Sequence, residues 1–184
     1  MRIAALLLAL MTLAGCSKPS WHMTDISGAM PRLAFTMTSG GKPVSAADLR
    51  GKAVALYFGY THCPDVCPTT LANLTDMLGK VASADVRVLF VTVDPDRDTV
   101  AVLADYAKAF SPQVVGLRGT ENQLAALART YRVAYTVKKG PPYEVMHSNA
   151  VFFFDRNGNA RLVTTDTTDT AAMAEDVKKI LQLR

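Results

Sequence analysis

The sequence predicts one α/β domain with a mostly parallel central sheet. Apolar runs of strand length alternate with segments in which apolar residues recur every three or four positions. Strands that alternate with helices indicate a parallel sheet joined by right-handed crossover connections. Near the C-terminus, Asn157-Gly158 lies between two further strand-like segments, which is typical of a β-hairpin. We therefore expect flanking helices around the sheet and an antiparallel hairpin at its C-terminal end.

Six segments have the composition of strands. Residues 53–60 form an apolar run, and residues 86–93 are mostly apolar apart from Arg87 and Thr92, as expected for strands that are buried on both faces. The other four are shorter and lie at residues 114–117, 133–137, 150–154 and 160–164.

Four segments have the periodicity of an amphipathic helix. The first follows residues 53–60 and has Pro68 near its first turn, a position that proline favours. Thr120 and Gln123 form a capping box at the start of the third. The apolar faces consist of Leu71, Leu74 and Leu78; Leu103, Tyr106, Ala107 and Phe110; Leu124, Leu127, Ala128 and Tyr131; and Met173, Val177, Ile180 and Leu181.

Composition excludes several classes of protein. The chain has 184 residues, of which 49% are hydrophobic and 20% charged, so it is neither disordered nor of low complexity. Its length suits one domain with a self-sufficient core. The formal net charge is only +4, and no run of five basic residues occurs. This charge pattern argues against a nucleic-acid partner.

Residues 1–15 are predicted to be a lipoprotein signal peptide. Arg2 precedes the apolar run of residues 3–13, which is too short to span a membrane. The stretch Leu13-Ala14-Gly15-Cys16 resembles the lipobox of bacterial lipoproteins. That resemblance implies lipidation of Cys16 and a lipid anchor in the cell membrane, facing the periplasm or extracytoplasmic space; an ordinary secreted protein is the alternative. Residues 16–30 are then a membrane tether, and residues 31–184 form the folded domain.

Cys63 and Cys67 are four positions apart, where the first buried strand is predicted to pass into a helix. The carboxyl end of a strand is where open α/β sheets bind ligands. One helical turn separates the two thiols, so they can form a disulfide or share a metal ion. The N-terminus of the helix favours thiolates. From these residues alone, a structural disulfide, a redox-active pair and a metal site all remain open.

Three segments together resemble one known family. The stretch Y-T-H-C-P-D-V-C-P at residues 60–68 is similar to the metal-binding signature of the Sco/SenC family. V-D-P-D-R-D-T at residues 93–99 resembles its acidic segment, and Y-E-V-M-H-S at residues 143–148 its histidine segment. Order and spacing agree over roughly residues 30–183. The resemblance implies a thioredoxin-like fold and a copper protein of cytochrome oxidase assembly.

The resemblance also implies a set of site residues. Cys63, Cys67 and His147 are expected to bind one copper ion per chain, as Cu(I) and also as Cu(II). Asp94 is expected to orient a ligand or balance charge around the metal, with a helix N-cap as the alternative. Oxidation of Cys63 and Cys67 to a disulfide would abolish copper binding.

Two neighbouring side chains are assigned other roles. His62 adjoins Cys63, but adjacent side chains diverge and the family does not use this position as a ligand. Met146 precedes His147 and carries a thioether, yet core packing is the expected role of such a residue.

The function implied is that of a membrane-anchored chaperone that delivers copper to the binuclear copper centre of cytochrome c oxidase. Its partners would be the copper-bearing subunit of the oxidase, a periplasmic copper donor and a thiol reductant. No general acid or base is evident, so a metallochaperone is favoured over an enzyme. The alternative is a thiol–disulfide oxidoreductase that reduces the cysteines of that centre, using Cys63 and Cys67. A thiol peroxidase is disfavoured because its motif needs Pro and Thr where Leu56 and Tyr60 stand.

Overall fold

The protein, seen in a computed structural model that describes residues 20–183, alternates strands and helices as predicted. The strands are β1 (Thr24–Asp25), β2 (Thr36–Ser39), β3 (Lys42–Ser45), β4 (Ala53–Gly59), β5 (Val86–Thr92), β6 (Val114–Leu117), β7 (Tyr135–Lys138), β8 (Glu144–His147), β9 (Val151–Phe154) and β10 (Ala160–Thr164). The helices are α1 (Val66–Val81), α2 (Val100–Phe110), α3 (Glu121–Thr130) and α4 (Thr170–Gln182), with a 3-10 turn at Ala46–Leu49.

Strand β4 lies at the centre of a six-stranded sheet with the order β1-β10-β9-β4-β5-β6. It pairs in parallel with β5, which pairs in parallel with β6. On its other side, β4 pairs antiparallel with β9, and β9 forms a hairpin with β10 around Asn157-Gly158. Every residue of β4 is buried, because alternate side chains enter cores on opposite faces of the sheet. Burial on both faces explains why this strand is a continuous apolar run in the sequence.

The helices cover both faces of the sheet. Helices α1, α2 and α4 pack on one face, and α3 packs on the other, together with Met37 of the β2–β3 hairpin. The capping box predicted for α3 is present, with the Gln123 amide donating to Thr120 Oγ1 (3.2 Å) and the Thr120 amide donating to Gln123 Oε1 (2.8 Å). The predicted fold class is therefore confirmed.

The structure differs from the prediction at residues 133–137. Strand β7 is not part of the central sheet but pairs with β8 in a separate antiparallel hairpin. The loop around Gly140-Pro141-Pro142 connects the two strands of this hairpin. Side chains alternate between half-buried and exposed along both strands, with His147 and its partner Tyr135 on the half-buried face. His147 is thus the last residue of a strand and points toward the domain.

The N-terminal segment also differs from the prediction, since part of the proposed tether packs on the domain. The backbone amides of His22 and Met23 both donate to Asp176 Oδ2 of α4, at 2.8 Å each. Met23 is buried, and β1 extends the sheet beside β10. The sequence pattern gave no sign of this packing, because it depends on the buried Asp176 carboxylate and on pairing with β10, both of which are distant in the chain.

Two predictions fall outside the described residues: the signal peptide at residues 1–15 and the lipidation of Cys16. Across residues 20–183, we find no helix with the length and apolar character needed to cross a membrane.

Candidate metal centre

The two cysteines lie in and directly after the turn that joins β4 to α1. Cys67 occupies the first turn of α1 and is fully buried, whereas Cys63 precedes the helix and is half-buried. The Cys67 amide donates to Cys63 Sγ at 3.4 Å, and the Cys63 amide donates to the Tyr60 carbonyl at 3.3 Å. Both cysteines are free thiols. The turn therefore presents one accessible and one enclosed sulfur at the carboxyl end of the central strand.

His147 is brought to this turn by the β7–β8 hairpin. Its Nε2 atom lies 3.3 Å from Cys67 Sγ, and its Nδ1 atom lies 3.0 Å from the Ser148 carbonyl oxygen. Because a carbonyl oxygen only accepts hydrogen bonds, Nδ1 carries the ring proton and Nε2 has its lone pair directed at the sulfur. Burial lowers the pKa of His147, which keeps the imidazole neutral. A neutral imidazole with a free Nε2 lone pair is the form that binds metals.

The two thiols are electrostatically distinct. Partial burial acts to raise the pKa of Cys63, but hydrogen bonds from the backbone amides of Cys67 and Asp65 outweigh it and the pKa is lowered. Burial raises the pKa of Cys67 to about 12. Cys63 is therefore the accessible nucleophile, and the Cys67 thiol keeps its proton unless a metal or an oxidant displaces it.

Aromatic side chains and one glycine fix the positions of the sulfur and the imidazole. The rings of Tyr60 and Tyr57 meet the His147 ring edge-on, at centroid distances of 5.9 and 6.1 Å. A Cβ atom on Gly59 would lie 3.0 Å from Cys67 Sγ and 2.5 Å from Phe90 Cε2. Glycine at the end of β4 therefore makes room for the buried sulfur.

Two buried carboxylates support the ligand-bearing segments from the β5–α2 loop. Asp98 accepts hydrogen bonds from the backbone amide (3.0 Å) and hydroxyl (2.6 Å) of Thr61 in the cysteine turn. Asp94 accepts a hydrogen bond from the Tyr143 hydroxyl at 2.8 Å and pairs with Arg97. Asp94 is not the N-cap of α2, since Thr99 fills that position. It is hydrogen-bonded to neither the cysteines nor His147, so any effect on a metal there is indirect.

The other candidate side chains lie apart from this cluster. His62 Nδ1 lies 3.1 Å from Thr61 Oγ1 and 3.4 Å from Asp98 Oδ1. Core packing was the wrong role for Met146, which is 67% exposed because the strand turns alternate side chains outward. Its neighbour in the sequence, His147, takes the inward position.

Cys63, Cys67 and His147 offer two sulfurs and one imidazole, a soft donor set that suits Cu(I). Cys63 and His147 line the same open cleft, with Cys67 buried beneath it. Within residues 20–183, no three His, Cys, Asp or Glu side chains have the spacing of a formed metal site. The cysteine turn and His147 are adjacent, and the three donor groups must converge further to share one ion.

Comparison with known proteins identifies the family of this chain. The SCO1/SenC family model matches residues 30–182. The chain belongs to the SCO1/SenC family. Among curated SCO1/SenC-related proteins, the mitochondrial SCO2 homolog of Bos taurus is 40% identical over 146 residues, covering 74% of this chain and 53% of that protein. The chain covers 53% of that protein and 45% of the mitochondrial SCO1 homolog 1 of Arabidopsis thaliana, about half the length of each.

Solved SCO1/SenC structures resemble the fold closely. The copper-bound crystal structure of ScoI from Arabidopsis thaliana has a TM-score of 0.75 and 33% identity, covering 82% of this chain and 98% of that one. BsSco, described as having a disulfide switch and as a member of the Sco family of cytochrome c oxidase assembly proteins, has a TM-score of 0.66 and 25% identity, with coverages of 84% and 98%. These structural neighbours have the thioredoxin-like fold that was expected for this chain.

Proposed function

We propose that this protein is a copper chaperone of cytochrome c oxidase assembly that holds one copper ion between Cys63, Cys67 and His147. The observation that carries the proposal is the 3.3 Å approach of His147 Nε2, with its free lone pair, to Cys67 Sγ. A pair of thiols used only for redox chemistry does not need this imidazole. The copper-bound Arabidopsis relative supports the choice of metal.

The unequal surroundings of the donors suggest an order of loading. Cys63 has a lowered pKa and lines the open cleft, so it meets incoming copper first. Cys67 is buried, and its proton leaves when the metal binds. Release to an acceptor reverses this order by exchange between thiolates, which needs neither a general acid nor a general base. Copper is therefore cargo, and the protein supplies soft donors and an open cleft.

A thiol–disulfide oxidoreductase is the second candidate, favoured by the difference between the two thiols. An accessible thiol of low pKa beside a buried partner is the arrangement of an attacking and a resolving cysteine. Their spacing of one helical turn suits a Cys63–Cys67 disulfide, and the disulfide switch of BsSco supports it. This disulfide and copper would compete for the same sulfurs.

The proposed setting is the outer face of a bacterial cell membrane. Cys16 would carry the lipid, and the partners would be a copper donor, a thiol reductant and the copper-bearing oxidase subunit. No nucleic acid is involved.

Two transfer assays separate the candidate functions. In one, copper-loaded protein is mixed with a reduced, copper-free oxidase copper domain, and formation of the binuclear centre is followed by its absorption. In the other, reduced copper-free protein is mixed with the same domain in its disulfide form, and free thiols are counted. We expect His147→Ala to impair the first reaction and to spare the second, with His62→Ala as the control. Equal copper transfer by His147→Ala and wild type would overturn the chaperone function.

A further inference from the structure

The β5–α2 loop lies between the two segments that carry the site. Asp98 is fully buried and is held by three donors: the Thr61 amide, the Thr61 hydroxyl and the Thr92 hydroxyl. Thr92 ends β5, so Asp98 joins the cysteine turn to the central sheet. Asp94, which is 1% exposed, contacts the other ligand-bearing segment through Tyr143. One short loop thus reaches both sides of the candidate centre.

The β7–β8 hairpin needs such support because it is not hydrogen-bonded into the central sheet. Tyr135 and Val145, on the half-buried face of the hairpin, pack against the core. At its far end, Tyr143 donates to Asp94, and the Arg97 guanidinium lies 3.9 Å from the centroid of the Tyr143 ring. The same guanidinium lies 5.7 Å from the centroid of Tyr60, whose ring meets His147. Cation–π contacts of this kind are strongest when they are partly shielded from water.

We propose that Asp94, Arg97 and Tyr143 are positioning residues that hold His147 against the cysteine turn, while Asp98 holds the turn itself through Thr61. The proposal rests on the copper site described above. It adds the residues that keep His147 close to the cysteine turn. A hydrogen bond to a buried carboxylate is strong and directional, so it fixes the hairpin more firmly than an exposed ion pair would. The exposed Lys139–Asp96 pair spans the same two segments and is expected to contribute little.

Two routes lead from this cluster to His147. One passes from Asp94 through the Tyr143 hydroxyl into the backbone of β8, which ends at His147. The other passes from Arg97 across the Tyr60 ring to the imidazole edge. Tyr143→Phe removes the hydroxyl of the first route and keeps the ring beneath Arg97, so it isolates a single hydrogen bond.

The first test uses hydrogen exchange on the purified copper-free protein. We expect Tyr143→Phe to speed exchange of the amides in residues 135–138 and 144–147 roughly 10-fold to 100-fold, the scale of losing one hydrogen bond to a charged group. Exchange in β4 and β5 should not change. Lys138→Gln, which breaks an exposed pair within the hairpin, is the matched control. Unchanged hairpin exchange in Tyr143→Phe would overturn the proposal whatever the protein does with copper.

The second test asks whether the effect on copper passes through His147. Cu(I) affinity is measured by competition with a chelator for wild type, Tyr143→Phe, His147→Ala and the double variant. We expect Tyr143→Phe to weaken binding about 10-fold, as is common for residues that orient a metal ligand, and to have no effect when His147 is already absent. An equal loss in both backgrounds would show that Tyr143 does not act through His147. If His147→Ala did not change Cu(I) affinity, the proposed three-ligand site would be wrong. The hydrogen-exchange test would still decide whether Tyr143 positions the hairpin.

Discussion

Cys67 Sγ and His147 Nε2 lie 3.3 Å apart although 80 positions separate the two residues in the chain. The cysteine is placed by the start of α1, and the histidine is placed by a hairpin that lies outside the central sheet. Both arrive as neutral groups, because burial raises the pKa of the thiol and lowers that of the imidazole. A soft cation that displaces the thiol proton would find two prepared donors there, with Cys63 as the third at the surface.

Alkylation should distinguish the two thiols. In the copper-free reduced protein at neutral pH, we expect iodoacetamide to modify Cys63 first, because its pKa is lowered and it is accessible. Cys67 should react more than about 100-fold slower, since its thiolate is scarce until the pH approaches its pKa of about 12. Mass spectrometry over time, with Cys63→Ala and Cys67→Ala as single-thiol controls, measures both rates. Similar rates for the two controls would contradict this description of the site.

Replacing Gly59 should disturb the Cys67 sulfur. The new methyl group in Gly59→Ala would meet Phe90 Cε2 at 2.5 Å and Cys67 Sγ at 3.0 Å, so one of them must move. We expect the free energy of unfolding to fall by about 1–3 kcal/mol and Cu(I) affinity to drop. Gly79→Ala is the matched control, because its methyl group meets nothing within 4 Å and alanine is the better helix former.

Denaturant unfolding and Cu(I) competition measure both glycine variants. The control should gain about 0.5–1 kcal/mol of stability with unchanged copper affinity. If Gly59→Ala had the same free energy of unfolding and Cu(I) affinity as Gly79→Ala, the close approach of β4 to the Cys67 sulfur would not matter for stability or copper binding.

Removing the Asp176 carboxylate should release the N-terminal segment. In Asp176→Ala, the backbone amides of His22 and Met23 lose their shared acceptor in a buried place. We expect the free energy of unfolding to fall by about 2–3 kcal/mol, and residues 20–25 to become sensitive to proteases. Glu175→Gln, which alters only an exposed contact with His22, should stay within about 0.5 kcal/mol of wild type. If residues 20–25 resisted proteases equally well in Asp176→Ala and in Glu175→Gln, the Asp176 carboxylate would not be what holds this segment.

Much of the fold could be predicted from local patterns. Strand β4 is an apolar run and β5 is mostly apolar because both faces of the sheet are covered, and the four helices have clear apolar faces. The short strands carry weaker signals. Nothing in residues 135–138 distinguishes a strand of the main sheet from one arm of a separate hairpin, because that choice depends on pairing with β8.

The site was predictable only in part, and for the same reason. Two cysteines one helical turn apart indicate their own chemistry, whereas His147 came from resemblance to a family and not from its surroundings in the chain. Residues that act at a distance left little signal. Asp98, Arg97 and Tyr143 lie in segments that resemble the family, but their contacts with the cysteine turn and the hairpin become visible only in the fold.

The central claim is that Cys63, Cys67 and His147 together hold one copper ion. X-ray absorption at the copper edge, on anaerobically loaded protein, tests it most directly because it identifies the atoms bound to the metal. We predict two sulfurs and one imidazole nitrogen in wild type and in His62→Ala, and loss of the imidazole signal in His147→Ala. Two sulfurs without imidazole in wild type, or an imidazole signal that survives in His147→Ala, would contradict the account.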